Sequence, residues 1–244
     1  MKTKTTGMKA AGLCALVIAA MAVSAGSAQA EESGGKWTFI NASGELKELP
    51  EESFGLKADG GSFVVLSTIA GMKVEFICAG IAFNGAKLLV GGTALGSIRF
   101  NLCTTKLNGT TSAACKPNAE GKESGVIKTL KLLGTLLLHK LGNGTKDKII
   151  LLEPDTGSTA FAHVEMGEEC PVGESAPIGG KLALLDCQGA GETHQVEHLF
   201  TEFEALTHLW VFSDTAEHAV RIDGSILGFL SGANVGKKWA MLWN

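Results

Sequence analysis

The chain has 244 residues and a formal net charge of −4 at pH 7, because 25 acidic residues outnumber 21 basic ones. Arginine occurs only at Arg99 and Arg221, and tyrosine does not occur at all. An acidic, arginine-poor surface excludes nucleic acid and anionic membranes as expected partners. The lack of tyrosine also argues against a glycan site, which usually stacks sugars on aromatic rings.

The first 30 residues have the layout of a cleaved export signal. Lys2, Lys4 and Lys9 form a basic start, an apolar stretch follows over 10–23, and the small-residue sequence SAQA ends at Ala30. The apolar stretch is too short to remain comfortably in a membrane as a spanning helix. We therefore expect residues 1–30 to be a signal peptide. The mature protein should be secreted, extracellular or periplasmic, with no membrane insertion after cleavage.

The expected mature chain, 31–244, is long enough for one β domain or for two small β subdomains. Removing 30 of the 244 residues leaves 214, and the removed segment takes three lysines and no acidic residue with it. The net charge therefore changes from −4 to −7. An acidic exported chain is expected to meet its ligand or partner at the cell surface or outside the cell.

The mature chain is predicted to form short strands separated by glycine-rich turns. Residues 62–78 predict two strands joined at Ala70 and Gly71. In the second of these strands Val74, Phe76 and Cys78 fall on one face, as the alternating pattern of a half-buried strand requires.

Residues 95–103 predict a further strand, with Ile98, Phe100 and Leu102 on one face. More strand-like runs lie at 147–154, at 158–166 and through the C-terminal part of the chain. Many short strands with regular turn signals predict an all-β, antiparallel fold, either a sandwich or a barrel-like arrangement.

Five of the six cysteines remain in the expected mature chain. Export to an oxidising compartment makes them disulfide partners rather than metal ligands or nucleophiles, and no C-x-x-C spacing occurs. Two short, polar, glycine-rich loops favour the pairs Cys103–Cys115 and Cys170–Cys187. Cys78 is then the odd cysteine.

One motif carries a specific chemical hypothesis. His194, Glu197 and His198 form H-x-x-E-H, a pattern in which two histidines hold zinc and a glutamate activates water. The apolar spacing over 192–206 is helical, which predicts one short helix in an otherwise β chain. A metal-dependent hydrolase, with His194 and His198 as ligands and Glu197 as the catalytic residue, is therefore one alternative.

Two observations weigh against this alternative. In a helix the two histidines lie opposite the apolar residues of the segment, and in a strand Glu197 belongs to the face that His194 and His198 do not share. Only the residues 199–244 follow, and they are strand-like, with no evident helix to supply a third ligand. The sequence therefore favours no metal, no cofactor and no catalytic residue.

Two patterns near the C-terminus have plainer interpretations. The run SGANVGKKW at 231–239 is one residue too short for a phosphate-binding loop, and Lys238 stands where that loop needs Ser or Thr. A glycine turn before the last strand is the prediction. Trp239, Met241 and Trp243 share a strand face, which is either a sugar platform or, as the frequent burial of aromatics favours, a core-facing stripe.

A pattern of recurring residue types lies downstream of Cys78, which ends a predicted strand, and of the next two cysteines, Cys103 and Cys115. The positions are Gly125, Ile127, Thr129, Leu132, Gly134, Leu136, Pro154, Gly157 and Phe161. Over most of the mature chain this pattern resembles a group of secreted soil-bacterial all-β proteins with no assigned activity. The resemblance implies a secreted β fold and implies nothing about a substrate, a cofactor or a catalytic residue.

Two functions remain open from the sequence. The favoured one is a non-catalytic secreted β protein that acts by binding, or as a structural component, at the cell surface or outside the cell. The alternative is a metal-dependent hydrolase that uses the motif at 194–198.

Overall fold

The chain folds as strands and turns throughout the part that the structure describes. The structure is a computed structural model, and it describes residues 31–49, 54–60, 63–119, 123–140, 146–155, 157–186, 195–200, 207–213 and 215–243. Within these ranges the helical elements are two short 3-10 turns, Val90–Gly92 and Gly232–Asn234. The predicted all-β fold is confirmed. The predicted signal peptide, 1–30, lies outside the described residues.

Twenty strands are described, and their pairings are antiparallel. They are β1 Glu31–Ser33, β2 Lys36–Ile40, β3 Leu46–Glu48, β4 Phe54–Gly60, β5 Phe63–Ile69, β6 Met72–Leu89, β7 Thr93–Leu107, β8 Thr110–Thr111, β9 Asn118–Ala119, β10 Glu123–Ser124, β11 Ile127–Thr129, β12 Leu132–Lys140, β13 Lys146–Pro154, β14 Ala160–Glu165, β15 Ser175–Asp186, β16 Gln195–Phe200, β17 His208–Ser213, β18 Ala216–Ala219, β19 Arg221–Leu230 and β20 Trp239–Leu242. No helix among the described residues is long and apolar enough to cross a membrane.

A tight turn joins β5 to β6 where the sequence predicts one. Ala70 and Gly71 have φ values of 47° and 70°, the left-handed geometry that both central residues of a type I′ hairpin turn adopt. The turn fixes the register, and the register places Val74, Phe76 and Cys78 inside, each no more than 3% exposed. The predicted pair of strands and its buried face are confirmed.

The larger sheet forms a sandwich-like arrangement whose pairings close on themselves. Four long strands, β6, β7, β15 and β19, have different partners at their two ends and so take part in the closure at both ends. From β6 the hydrogen-bonded neighbours run through β7, β12, β13, β15, β16, β19 and β4 back to β6. At the other end of the long strands, β11 pairs with β7, β14 and β17 each pair with β15, and β5 pairs with β19. Closure satisfies the backbone of strands that would otherwise be edges.

A second, three-stranded sheet is built from the two ends of the described chain. β2 pairs with β20 on one side and with β3 on the other. Its Trp37, Trp239 and Met241 are at most 1% exposed and pack into the core of the larger sheet. The Lys148 ammonium donates to the carbonyl of Met241 at 2.9 Å and ties this sheet to β13. The prediction that Trp239 and Met241 face the core is confirmed.

Strands β12, β13 and β15 are apolar on both faces. Leu136, Ile150 and Leu184 belong to the main core cluster, whereas Leu137 and Ile149 belong to a smaller cluster that includes residues of the same strands. Strands buried on both sides have nearly continuous apolar sequences instead of alternating ones. This explains why β12 and β13 contain runs of leucine and isoleucine.

The predicted face of β7 is wrong at Leu102. Ile98 and Phe100 are buried as expected, but Leu102 is 76% exposed and Cys103 is buried instead. Leu102 has a φ of 54°, which places it in the small left-handed region and interrupts the regular alternation of faces along the strand. Before Leu102 the buried positions of β7 have even numbers, as at Ile98 and Phe100. After Leu102 they have odd numbers, as at Cys103 and Thr105.

The two disulfides differ from the expected pairs. Cys78 is bonded to Cys103, and Cys115 is bonded to Cys170. The predicted Cys103–Cys115 pair is therefore wrong, and so is the choice of Cys78 as the odd cysteine. The predicted Cys170–Cys187 pair is also wrong, because Cys170 is already bonded, while Cys187 itself lies outside the described residues.

Long-range strand pairing, not loop length, decides which cysteines meet. The β6–β7 ladder places Cys78 directly opposite Cys103. A backbone hydrogen bond from Gly167 to the carbonyl of Ala114 brings the loop before β9 against the turn after β14. Both contacts join segments that are distant in sequence, and the spacing of cysteines alone does not reveal them.

The Gly180→Ala variant is expected to lose about 3 kcal/mol of unfolding free energy, from overpacking together with backbone strain. An added Cβ would lie 1.7 Å from the carbonyl oxygen of His208, and Gly180 has a φ of 104°. Gly173 is a matched control, because it has the same φ but open space around its Cβ position. Urea unfolding should show a clearly smaller loss for Gly173→Ala, and equal losses would contradict the steric explanation.

Candidate functional site

The H-x-x-E-H motif lies partly in strand β16. His194 is outside the described residues, and the backbone over 195–200 pairs with β15 on one side and β19 on the other. The helix predicted over 192–206 is therefore wrong for 195–200. Glu197 and His198 are consecutive residues of this strand. The described residues contain no group of three or more His, Cys, Asp or Glu side chains that could hold a metal.

Two titratable side chains face each other on the β12–β13 hairpin. His139 and Asp147 are directly opposite in the register. His139 is only 4% exposed, and Asp147 is half-buried. Burial raises the pKa of the Asp147 carboxyl above its ordinary value of 3.8, and the charge of His139 opposes this effect. The pair is a source of pH-dependent stability.

The Asp147→Asn variant is expected to gain more stability, relative to wild type, at about pH 7 than at about pH 3. Because the pKa of the Asp147 carboxyl is raised on folding, its contribution to folding stability is most favourable below the pKa of the unfolded state. The contribution is lost as the pH rises through the folded pKa. Asparagine mimics the protonated form at both values. Urea unfolding at the two pH values measures the difference.

The exposed Asp223 on β19 provides the control for this comparison. The Asp223→Asn variant should show a smaller difference between the two pH values, because this side chain is exposed and not half-buried. A gain for Asp147→Asn that is as large in acid as at neutral pH would contradict the effect of burial on this carboxyl.

An apolar cavity lies where the larger sheet meets the terminal three-stranded sheet. Its volume is about 50 Å³, and it is partly open to solvent. Its walls come from β6, β7, β12, β13 and β15, and Trp37 and Trp239 complete them. Leu88, Leu184 and the two tryptophans are at most 2% exposed, so this part of the wall is deep inside the fold.

The two tryptophans form an apolar wall of the cavity. Their ring centroids are 5.9 Å apart and the ring planes are tilted by 50°. The indole N–H of Trp37 donates to the carbonyl of Thr93, and that of Trp239 donates to the carbonyl of Gly228 at 3.2 Å. Because backbone carbonyls satisfy both donors, neither indole needs a polar ligand.

A β-bulge interrupts β6 beside the cavity. The register against β7 shifts between Asn84 and Lys87, so that β6 contains one extra residue. Gly85 has a φ of 60° at the bulge, and a Cβ added at Gly96 would lie 2.6 Å from the Cα of Ala86. Bulges bend a strand and redirect its side chains, and they occur often beside functional sites.

The more exposed residues of the cavity lining belong to β6 and β7. Phe83, Ala94 and Leu95 line the cavity and are half-buried, and Lys87 lines it and is exposed. By contrast, the lining residues on β12, β13 and β15 are buried. The lining is therefore more exposed on its β6 and β7 side than on its β12, β13 and β15 side.

The lining can hold an apolar molecule but offers little polar chemistry. Ser97 and Lys87 are the polar side chains among the described lining residues. Ser97 donates its hydroxyl to the carbonyl of Asn84 at the long distance of 3.5 Å. The described lining contains no carboxylate, histidine or cysteine, so neither Ser97 nor Lys87 has a neighbouring acid or base in the lining to activate it.

The sequence reveals little of this cavity. Trp239 was predicted to face the core, but its partner Trp37 lies at the other end of the chain. The detectable signal is the presence of small residues, such as Ala94 and Gly134, inside otherwise bulky apolar strands. That signal does not tell which strands will meet.

Comparison of the chain with known protein families, with characterised proteins and with solved structures gives no match. The resemblance to secreted soil-bacterial all-β proteins therefore stays a prediction, and the chemistry of the cavity carries the functional argument.

Proposed function

We propose that this protein is a non-catalytic exported binding protein, which holds an apolar ligand in the cavity beside Trp37 and Trp239. The cavity is the observation that carries the proposal. Protein interiors are close-packed and contain few voids larger than a water molecule. Small-molecule sites are concave and mostly apolar with a few polar groups, and typical ones are larger than this cavity, at about 300–1,000 Å³. The cavity favours binding over a purely structural role.

Export is the second part of the proposal. The predicted signal at 1–30 supports it, and the two disulfides are consistent with a non-cytoplasmic compartment, since disulfides form and persist where conditions are oxidising. The acidic composition fits a protein that acts outside the cell or at its surface without binding nucleic acid. The soil-bacterial resemblance supports the same location.

The proposal is tested by extracting ligand from the exported protein. The protein is purified from its native culture medium or periplasm, and a methanol extract is analysed by mass spectrometry. An Ala94→Leu variant, prepared in the same way, is the control, because a larger side chain at this lining position fills the cavity. An apolar compound should be enriched in the wild-type extract only. Identical extracts, together with no compound bound in native mass spectra, would contradict the proposal.

The metal-dependent hydrolase is tested on the same preparation. After dialysis against a mild chelator, zinc retained by the protein and cleavage of a broad peptide library are measured. We expect neither stoichiometric zinc nor cleavage, because Glu197 and His198 are adjacent positions of a strand. Retained zinc, with cleavage abolished by Glu197→Gln, would replace the binding proposal with the hydrolase.

A further inference from the structure

We propose that the outer face of strands β15, β17 and β18 binds a neutral oligosaccharide, with the indole of Trp210 as the stacking surface. The cavity takes no part in this site, so the inference goes beyond the proposed function. Three observations carry it: the flat position of the Trp210 ring, the exposed Phe212 beside it, and the polar groups around both rings.

The ring of Trp210 lies flat on the outside of the larger sheet. Leu209 and Val211 belong to the main core, so Trp210 between them belongs to the outer face. Gly179 is directly opposite Trp210 in the register, and a Cβ added there would lie 2.3–2.7 Å from three atoms of the indole. One face of the ring therefore covers the backbone of Gly179, and the other face points away from the sheet.

Small neighbours leave this second ring face accessible. Ala160 is opposite Gly179, and the exposed Ala219 is opposite Trp210. Phe212 is two residues further along β17, about 6.8 Å away. It belongs to the same face, because alternate residues of a strand share a face, and it is 56% exposed. The two rings thus form a short apolar strip along the strand.

The indole N–H of Trp210 is a donor at the edge of this strip. The corresponding groups of Trp37 and Trp239 donate to backbone carbonyls, whereas that of Trp210 has no hydrogen-bond partner in the described part of the chain. It is also not buried. A ring with an apolar face and a polar edge matches a sugar ring, which has C–H groups on its faces and hydroxyls around its rim.

Polar groups of both charge signs surround the strip. Lys181 and His208 are opposite each other, two residues along β15 and β17 from Gly179 and Trp210. Glu217 is exposed and opposite Phe212. Across the described residues, neither Lys181 nor Glu217 forms an ion pair. These side chains can donate to and accept from hydroxyls, and their opposite charges favour neither an anion nor a cation. The surroundings therefore favour an uncharged saccharide.

The size of the strip favours a saccharide over a protein partner. Two aromatic side chains offer at most about 150–250 Å² each, whereas a stable protein interface buries about 800 Å² on each partner. The lack of tyrosine in the sequence argues against a glycan site in general. Stacking needs an aromatic ring with one open face, however, and Trp210 supplies such a ring.

The test follows the indole N–H signals of the exported protein by NMR during titration with hexasaccharides. The neutral probes are cellohexaose, xylohexaose, mannohexaose, chitohexaose and maltohexaose, and hexagalacturonate is the charged comparison. At least one neutral probe should shift the Trp210 signal saturably and leave the signals of Trp37 and Trp239 nearly unchanged. Hexagalacturonate should bind at least about tenfold more weakly.

Variants of the outer face make the test specific, with binding measured by calorimetry. Gly179→Ala keeps the indole but displaces it from the sheet, and should weaken binding at least about tenfold, as should Trp210→Ala. Phe212→Ala changes an exposed side chain and should weaken binding about threefold. Leu102→Ala is the matched control with unchanged affinity, because Leu102 is an exposed apolar residue of β7. Circular dichroism verifies that each variant is folded.

The other outcomes overturn the inference and leave the proposed function untouched. The first is that no neutral hexasaccharide shifts the Trp210 signal, and the second is that hexagalacturonate binds in preference. A Trp210 signal that changes with protein concentration alone would assign this face to a second copy of the chain. Affinities that Gly179→Ala, Trp210→Ala and Phe212→Ala leave unchanged would place the saccharide elsewhere.

Discussion

The Cys115→Ala/Cys170→Ala variant is expected to unfold with about 4 kcal/mol less free energy than the wild type. The bond joins residues 55 positions apart, and it removes the corresponding conformational freedom from the unfolded chain. Both cysteines are at most 6% exposed, so their replacement also disturbs the core. Urea unfolding under non-reducing conditions, followed by tryptophan fluorescence, measures the loss.

The other disulfide is the control. Cys78 and Cys103 are 25 positions apart, and the same loop-closure argument gives about 3.5 kcal/mol for their removal. The β6–β7 ladder also holds these two residues opposite each other without the bond. A larger loss for Cys78→Ala/Cys103→Ala than for the first variant would contradict the loop-length explanation.

The strands could be predicted from the sequence because their signals are local. Alternation at Val74, Phe76 and Cys78 gives both the strand and its buried face, and the Ala70-Gly71 pair marks the turn before it. Each of these features depends on a few neighbouring residues and on the period of two in a strand. For the same reason the all-β class and the burial of Trp239 and Met241 are accessible without a structure.

The sequence could not predict features that depend on tertiary pairing. The spacing over 192–206 is helical, but the backbone over 195–200 completes two ladders, with β15 and with β19, and such pairing overrides local preference. Leu102 has a regular place in the apolar pattern, yet its left-handed φ turns it outward. The cysteine pairs likewise depend on which strands become neighbours.

The cavity is the least predictable feature because its walls come from both ends and the middle of the chain. Trp37 and Trp239 meet only because β2 and β20 pair. The bulge at Gly85 is visible in the sequence as a glycine, but glycine is common in this chain. A cavity results from imperfect packing between strands that are distant in sequence. Its volume therefore cannot be predicted until it is known which strands meet.

The Trp239→Ala variant is expected to lose about 4 kcal/mol of unfolding free energy, within the range for removal of a buried tryptophan. Trp239 is fully buried, contacts the ring of Trp37 and donates to the carbonyl of Gly228. Its removal enlarges the cavity and leaves that carbonyl without its indole donor. Urea unfolding, followed by circular dichroism because a fluorophore is lost, measures the change.

Two variants distinguish the causes of this loss. Trp239→Phe keeps an aromatic ring but not the N–H group, and should lose about 0.5–1.5 kcal/mol from the missing hydrogen bond to Gly228. Trp210→Ala removes a half-buried tryptophan outside the cavity and should have a smaller effect than Trp239→Ala. Equal losses of stability in these two alanine variants would show that Trp239 has no special role in the cavity wall.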